Sequence, residues 1–200
     1  VFENAASTKM VHLTEFTADL IKHNKLKLDP SRNDHYTVTW HDSCNTSRGM
    51  GLLEEPRYVL NAVCNNFYEM PDTTIREQTF CCGSGSGLNA GENMEERMRG
   101  GLPRANAVKF VHEKQGVNML GCVCAIDRAA LKPLMDYWVP GVNVCGLTEL
   151  VANALIMEGE NARSTNLRGE EINDLREEVG LPPIDFPSDD DEEAGEEGEE

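Results

Sequence analysis

Extended and helical patterns alternate along this chain, and that alternation restricts its fold more than any other feature. Residues 36–41 (YTVTWH) are β-branched and aromatic and read as a strand. Residues 76–80, 117–120 and 142–145 read as three further short strands. Between them lie stretches of helical character: 7–23 with Ser7 as a cap, 55–67 with Pro56 in its first turn, 92–115, 127–138, and 147–157. Gly100 to Pro103 should interrupt the 92–115 helix, and Pro133 should kink or restart the 127–138 helix. The order α-βα-βα-βα-βα predicts an α/β fold, a short parallel sheet flanked by helices. In such sheets ligands bind beyond the carboxyl ends of the strands.

The cysteines follow that rule. Cys44 comes after the first expected strand, Cys81 and Cys82 after the second, and Cys122 and Cys124 after the third. Three loops at one sheet edge can therefore bring five thiols together. The total of seven is odd, and the other two differ in setting. Cys64 falls on the apolar stripe of a helix and reads as core. Cys145 ends the last strand near the same edge and reads as core, with a role as a ligand or as a neighbour of the ligands as the alternative.

Five thiols exceed the four ligands of a tetrahedral zinc ion, and no C-x-x-C knuckle is present. Adjacent cysteines crowd a single small ion and suit a larger group. The soft donor set favours an iron–sulfur cluster, with zinc, free thiols or a vicinal disulfide as alternatives. Gly83, Gly85 and Gly87 in CCGSGSG let backbone approach closely, and amides there can donate to cluster sulfur. The same loop lacks the G-x-G-x-x-G spacing and the P-loop lysine of a phosphate cradle.

These residues carry a likeness. HDSC (His41 to Cys44), then 36 residues, CCGSGSG (Cys81 to Gly87), then 39 residues between Cys82 and Cys122, and GCVC resemble the cysteine-rich CCG domain of heterodisulfide reductases. EEPRYVL (54–60), NNFYEM (65–70) and TELVANAL (148–155) extend the resemblance over about residues 8–158. Within that family the chain looks closest to the carboxy-terminal half of the DsrK-type subunits of dissimilatory sulfur complexes, which are themselves similar to heterodisulfide reductase. Two departures stand out. The family pattern ends C-x-x-C where this chain has C-x-C, and Asn45 stands where relatives often carry His.

The resemblance implies a noncubane 4Fe-4S cluster on Cys44, Cys81, Cys82, Cys122 and Cys124, with Gly83 and Gly85 lining it. It implies an oxidoreductase subunit that reduces, or oxidatively forms, a disulfide or trisulfide. The implied substrate is a DsrC-like sulfur-carrier protein. The implied partners are a membrane cytochrome and other subunits of a Dsr-type complex, with this part peripheral to the cytoplasmic membrane. His41, before the first ligand, is a possible catalytic or hydrogen-bonding neighbour of the cluster. The alternative is a non-catalytic electron-transfer iron–sulfur subunit of the glycolate- or lactate-oxidising type. The ferredoxin run C-x2-C-x2-C-x3-C-P is absent from the sequence, so electrons must come from elsewhere.

Charge bears on partners. The chain carries −17, but nine acids sit in the last twelve residues, leaving −8 on residues 1–188. Both values disfavour a non-specific grip on nucleic acid or an anionic bilayer. No apolar run approaches the length of a membrane span. The expected organisation is a cluster-binding domain over 1–158, an irregular or helical extension over 159–187, and a disordered acidic tail over 188–200. Val1 follows no initiator Met and no secretory pattern, so the expectation is a fragment in a reducing compartment. Arg97, Arg99 and Arg104 read as a solvated helix face, with steering of an acidic partner as the alternative. His12, His23, His35 and His112 lack metal-ligand spacing and read as surface or core.

Overall fold

A computed structural model describes residues 10–85, 87–88, 91–157 and 169–184. The acidic tail and the Ser7 cap lie outside the described residues. Three strands, β1 (Val38–Trp40), β2 (Met119–Cys122) and β3 (Asn143–Gly146), form a parallel sheet in the order β1-β2-β3. Trp40 pairs with Gly121, and Cys122 with Gly146. Outside β1, Phe67 adds a single parallel bridge to Val38, which shields that edge.

The pleat divides the interior in two. Leu120, Cys122 and Val144 point to one face, where α3 (Met94–Gln115) and α4 (Ala125–Trp138) pack. Val38, Trp40, Met119 and Cys145 point to the other, toward α1 (Leu13–Lys22), α2 (Glu55–Val63) and α5 (Leu147–Ala154). Helices α3 and α4 are the ones that lead into β2 and β3 in the two crossovers, the first of which also carries α2 on the opposite face. Strands added in one direction with crossovers of one hand put both on the same face. The molecule is thus an α/β fold with helices on both faces of a short parallel sheet.

Local chemistry accounts for the helix ends. His12 Nδ1 accepts the Thr14 N–H at 3.2 Å and caps α1. Pro56 occupies the first turn of α2, where its missing N–H costs nothing. Gly116 closes α3 in the left-handed conformation, φ 71°. A sixth helix, α6 (Gly169–Glu178), docks through fully buried Ile172 and through Arg176, which donates to Ser31 O at 2.6 Å and Pro182 O at 2.7 Å.

Three expectations are corrected. Residues 76–80 are not a strand; a 3-10 turn over Arg76–Gln78 stands there. Its backbone is claimed by side chains instead of a neighbouring strand. Arg76, at φ 55°, donates its N–H to Asp42 Oδ2 at 2.7 Å, and Arg48 donates to Glu77 O and Thr79 O, both at 2.7 Å. Second, α3 runs through Gly100 to Pro103 without a break, and α4 runs through Pro133. Gly101 is a contact point rather than a breaker: a Cβ there would lie 2.7 Å from the Leu134 side chain. Third, Arg97 and Arg104 do not face solvent. They are 7% and 0% exposed, because α3 lies beneath α4 and the segment leading to Cys81. Arg99 alone of the three is exposed, in a 2.5 Å pair with Glu95 one turn back. No helix among the described residues is long and apolar enough to cross a membrane.

Candidate metal centre

The first loop leaves the sheet at Trp40. His41 keeps one sheet bond, its N–H to Gly121 O at 2.8 Å. Asp42 then anchors the loop. It accepts Arg57 Nη1 and Nη2, the Arg76 N–H, and Trp40 Nε1 at 3.2 Å. Its carbonyl accepts the Thr79 hydroxyl at 2.8 Å. Burial alone would raise the Asp42 carboxyl; the Arg57 guanidinium outweighs it and holds the group below the usual carboxylate range. Ser43 O starts a π-helical turn over Asn45–Gly49 by accepting the Ser47 N–H at 2.9 Å. Cys44 begins that turn and is exposed.

The second loop carries Cys81, exposed, and Cys82, buried. The Gly83 N–H donates to Cys81 Sγ at 3.2 Å. Gly83 has φ 87°, and a Cβ on it would lie 2.5 Å from Arg97 O. Only glycine lets this loop lie against α3. A Cβ on Gly85, by contrast, would meet nothing within 4 Å among the described residues.

The third loop follows β2. Cys122 is the last strand residue and is buried; its Sγ donates weakly to Cys145 O at 3.6 Å. Cys124 is partly exposed at the start of α4. Arg128 on α4 forks onto Glu149 on α5, Nη1 to Oε1 and Nη2 to Oε2, bracing the turn from outside.

Between the loops lies a buried polar group. His41 Nε2 stands 3.6 Å from Asp127 Oδ2, and ligand atoms of His41, Cys82 and Asp127 all lie within 4.8 Å of one another. Burial holds His41 below its ordinary pKa, so the neutral ring faces Asp127. Burial, reinforced by the Asp127 carboxylate, pushes the Cys82 thiol up. Burial likewise pushes Cys122 up to about 12. Ligation would therefore displace protons from these two thiols.

The structure thus puts Cys44 after β1, Cys122 within β2 as its last residue rather than in the loop beyond it, and Cys124 just past it. Cys81 and Cys82 reach the site from a turn rather than a strand end, with Asp127 between Cys82 and His41. Cys44, Cys81, Cys122 and Cys124 stand outside the close three-residue group. Cys64 and Cys145 are buried in the core against α2 and α5. All seven thiols are free. Sequence reasoning missed Asp127, whose signal was an acid in the first turn of a helix just after C-x-C. It also missed the Asp42–Arg57 pair, for which sequence offers only the acid before Cys44.

A parallel α/β domain with cysteines at the carboxyl edge of its sheet defines the class. Residues 38–120 match the cysteine-rich domain family CCG. It is 52% identical over 166 residues to the "Hdr-like menaquinol oxidoreductase iron-sulfur subunit" of Archaeoglobus profundus, covering 81% of this chain and 30% of that one. The protein of the same name, numbered 2, from Archaeoglobus fulgidus is 50% identical with the same coverage. A subunit of the dihydromethanophenazine:CoB--CoM heterodisulfide reductase of Methanosarcina mazei is 44% identical over 84 residues, 42% of this chain and 20% of that one. The chain spans about a third of the first two relatives' length. No solved structure gives a significant match.

Proposed function

We propose that Cys44, Cys81, Cys82, Cys122 and Cys124 hold a noncubane 4Fe-4S cluster, in a chain that forms part of a heterodisulfide-reductase-like oxidoreductase subunit. In this reading it reduces, or oxidatively forms, a disulfide or trisulfide on a DsrC-like sulfur-carrier protein, as DsrK-type subunits would in sulfur metabolism. The observation that supports this reading is the buried His41–Cys82–Asp127 group, with four more free thiols close to its members in the chain: Cys44 after His41, Cys81 beside Cys82, and Cys122 and Cys124 ahead of Asp127. The donor set fits: it is soft, it outnumbers the ligands of one ion, and it extends past the single close group.

Such a group, when bound, supplies one-electron steps and Lewis acidity toward a sulfur anion. The protein's own residues do the rest. The Gly83 N–H donates to Cys81 Sγ and so fixes the direction of that sulfur. Asp42, locked by Arg57, holds the path from β1 to Cys44 in one geometry. Exposed Cys44 and Cys81 leave one side of the site open to an arm of a partner protein. His41 is the proton-handling candidate, with Asp127 as its orienting neighbour. A membrane cytochrome and further complex subunits supply electrons, which keeps this part peripheral to the cytoplasmic membrane.

The test is anaerobic purification with iron and labile-sulfide assay, then paramagnetic resonance during titration with the carrier's thiol. Iron and sulfide together, with a signal that responds to the thiol, is the expected result. One zinc per chain without sulfide sinks the reading. A loaded cluster whose signal ignores the thiol leaves only the electron-transfer role of the glycolate- or lactate-oxidising type.

A further inference from the structure

Arg104 is 0% exposed at the centre of α3. Its donors go to neutral acceptors: Nη2 to Thr74 O and Thr79 Oγ1, both at 2.7 Å, and to Phe80 O at 3.4 Å, with Nη1 3.0 Å from Met70 Sδ. Its Nε has no partner, and the guanidinium lies 5.8 Å from the Phe80 ring centre. No carboxylate among the described residues lies within ion-pairing distance of it, whereas buried Arg57 has two. A buried charge without a counter-charge is expensive. Burial lowers the Arg104 pKa to about 10, which still leaves it cationic at neutral pH.

The segment it grips, Thr79 and Phe80, runs directly into Cys81 and Cys82. Among the groups whose fields favour its charge are Asp42, Asp127, Cys82 and Cys81. The two cysteines are neutral as thiols and anionic as metal ligands. Metal binding would therefore put negative charge on two groups whose fields reach Arg104, a cation with no ion-pair partner among the described residues.

We propose that Arg104 is the internal counter-cation of the thiolate centre: a positioning residue that orients the Cys81–Cys82 segment and raises the reduction potential of what those thiolates hold. This rests on the iron–sulfur reading above. One-electron reduction adds one negative charge to the centre, and a fixed cation in low dielectric favours that product.

The chain is loaded with iron and sulfide anaerobically as wild type, Arg104→Lys, Arg104→Gln and Arg104→Met. Midpoint potentials are read by paramagnetic resonance during redox titration. Matched iron and sulfide contents with a lower midpoint in Gln and Met, and one near wild type in Lys, is the expected pattern. A fully loaded neutral variant with an unchanged midpoint overturns the proposal, as does a Lys variant shifted as far as Gln. If the neutral variants do not fold, Arg104→Lys alone decides: an unmoved midpoint supports the charge role and a lowered one refutes it. Wild type that takes up no iron and sulfide sinks the cluster reading and this proposal with it; a loaded centre with an insensitive potential sinks this proposal alone.

Discussion

Arg57 holds Asp42 through two parallel hydrogen bonds, Nη1 to Oδ1 at 2.9 Å and Nη2 to Oδ2 at 2.8 Å, with both side chains nearly buried. The pair ties α2 to the exit of β1, two residues before Cys44. Arg57 also donates to Leu53 O at 2.6 Å and to Glu69, so one guanidinium joins three segments. Removing it strands a buried carboxylate. Arg57→Met should cost about 3–5 kcal/mol in urea unfolding. A loss below about 1 kcal/mol would show that the carboxylate finds water or another donor.

Gly83 and Gly85 differ although they stand two residues apart. Gly83→Ala meets Arg97 O at 2.5 Å with φ at 87°, while Gly85→Ala meets nothing. The first should lose about 1–3 kcal/mol, together with metal uptake, and the second should be neutral. Equal thermal melts for the two variants would contradict the packing described for this loop.

His35 is 4% exposed, with neither ring nitrogen hydrogen-bonded, and burial lowers its pKa to about 4. Nearby Arg176 adds to the depression and Asp34 opposes it. The unfolded chain binds that proton near pH 6.5, ahead of the folded one. Stability should therefore be full above pH 6.5 and fall as pH drops toward 4, by up to about 3 kcal/mol. His35→Phe should flatten that slope in urea melts at about pH 7 and about pH 5. An unchanged slope would assign acid sensitivity to other groups.

Cys64 and Cys81 make a matched pair for separating core from site. Cys64 is 4% exposed in the apolar cluster beside α2, and burial pushes its thiol up to about 12. Cys64→Ala should cost about 1 kcal/mol and leave iron per chain unchanged. Cys81→Ser should leave stability nearly intact and deplete iron. Reversal of the two outcomes would move the site away from the edge loops.

Much of this is readable from residues alone. The β-branched run ending at Trp40 and the apolar runs around Leu120 and Val144 carry their own strand signal. So does the placement of Cys44 after β1 and of Cys124 after β2, whereas Cys122, expected past the strand, is its last residue. Arg76–Gln78 misleads because its conformation is decided by Asp42, 34 residues earlier, rather than by local propensity. Arg104 misleads for a related reason. A charge in a helix normally marks the wet side, and nothing near it in sequence announces that Thr74, Thr79 and Phe80 fold back over it. Asp127 belongs to the site only because α4 starts directly beneath the loop from β1.

The pleat of β2 has a consequence for how such domains can diverge. Cys122 and Gly121 look into opposite helical layers, and Gly121 sits under the Trp40 ring, where an added Cβ would come within 3.1 Å. A one-residue slip of β2 would turn the thiol into the α1–α2–α5 layer and drive a side chain against the indole. A change of spacing between Cys122 and Cys124 falls past the Cys122–Gly146 pair, the last of that ladder. Such a change leaves the direction of the Cys122 sulfur untouched, since the strand has already set it.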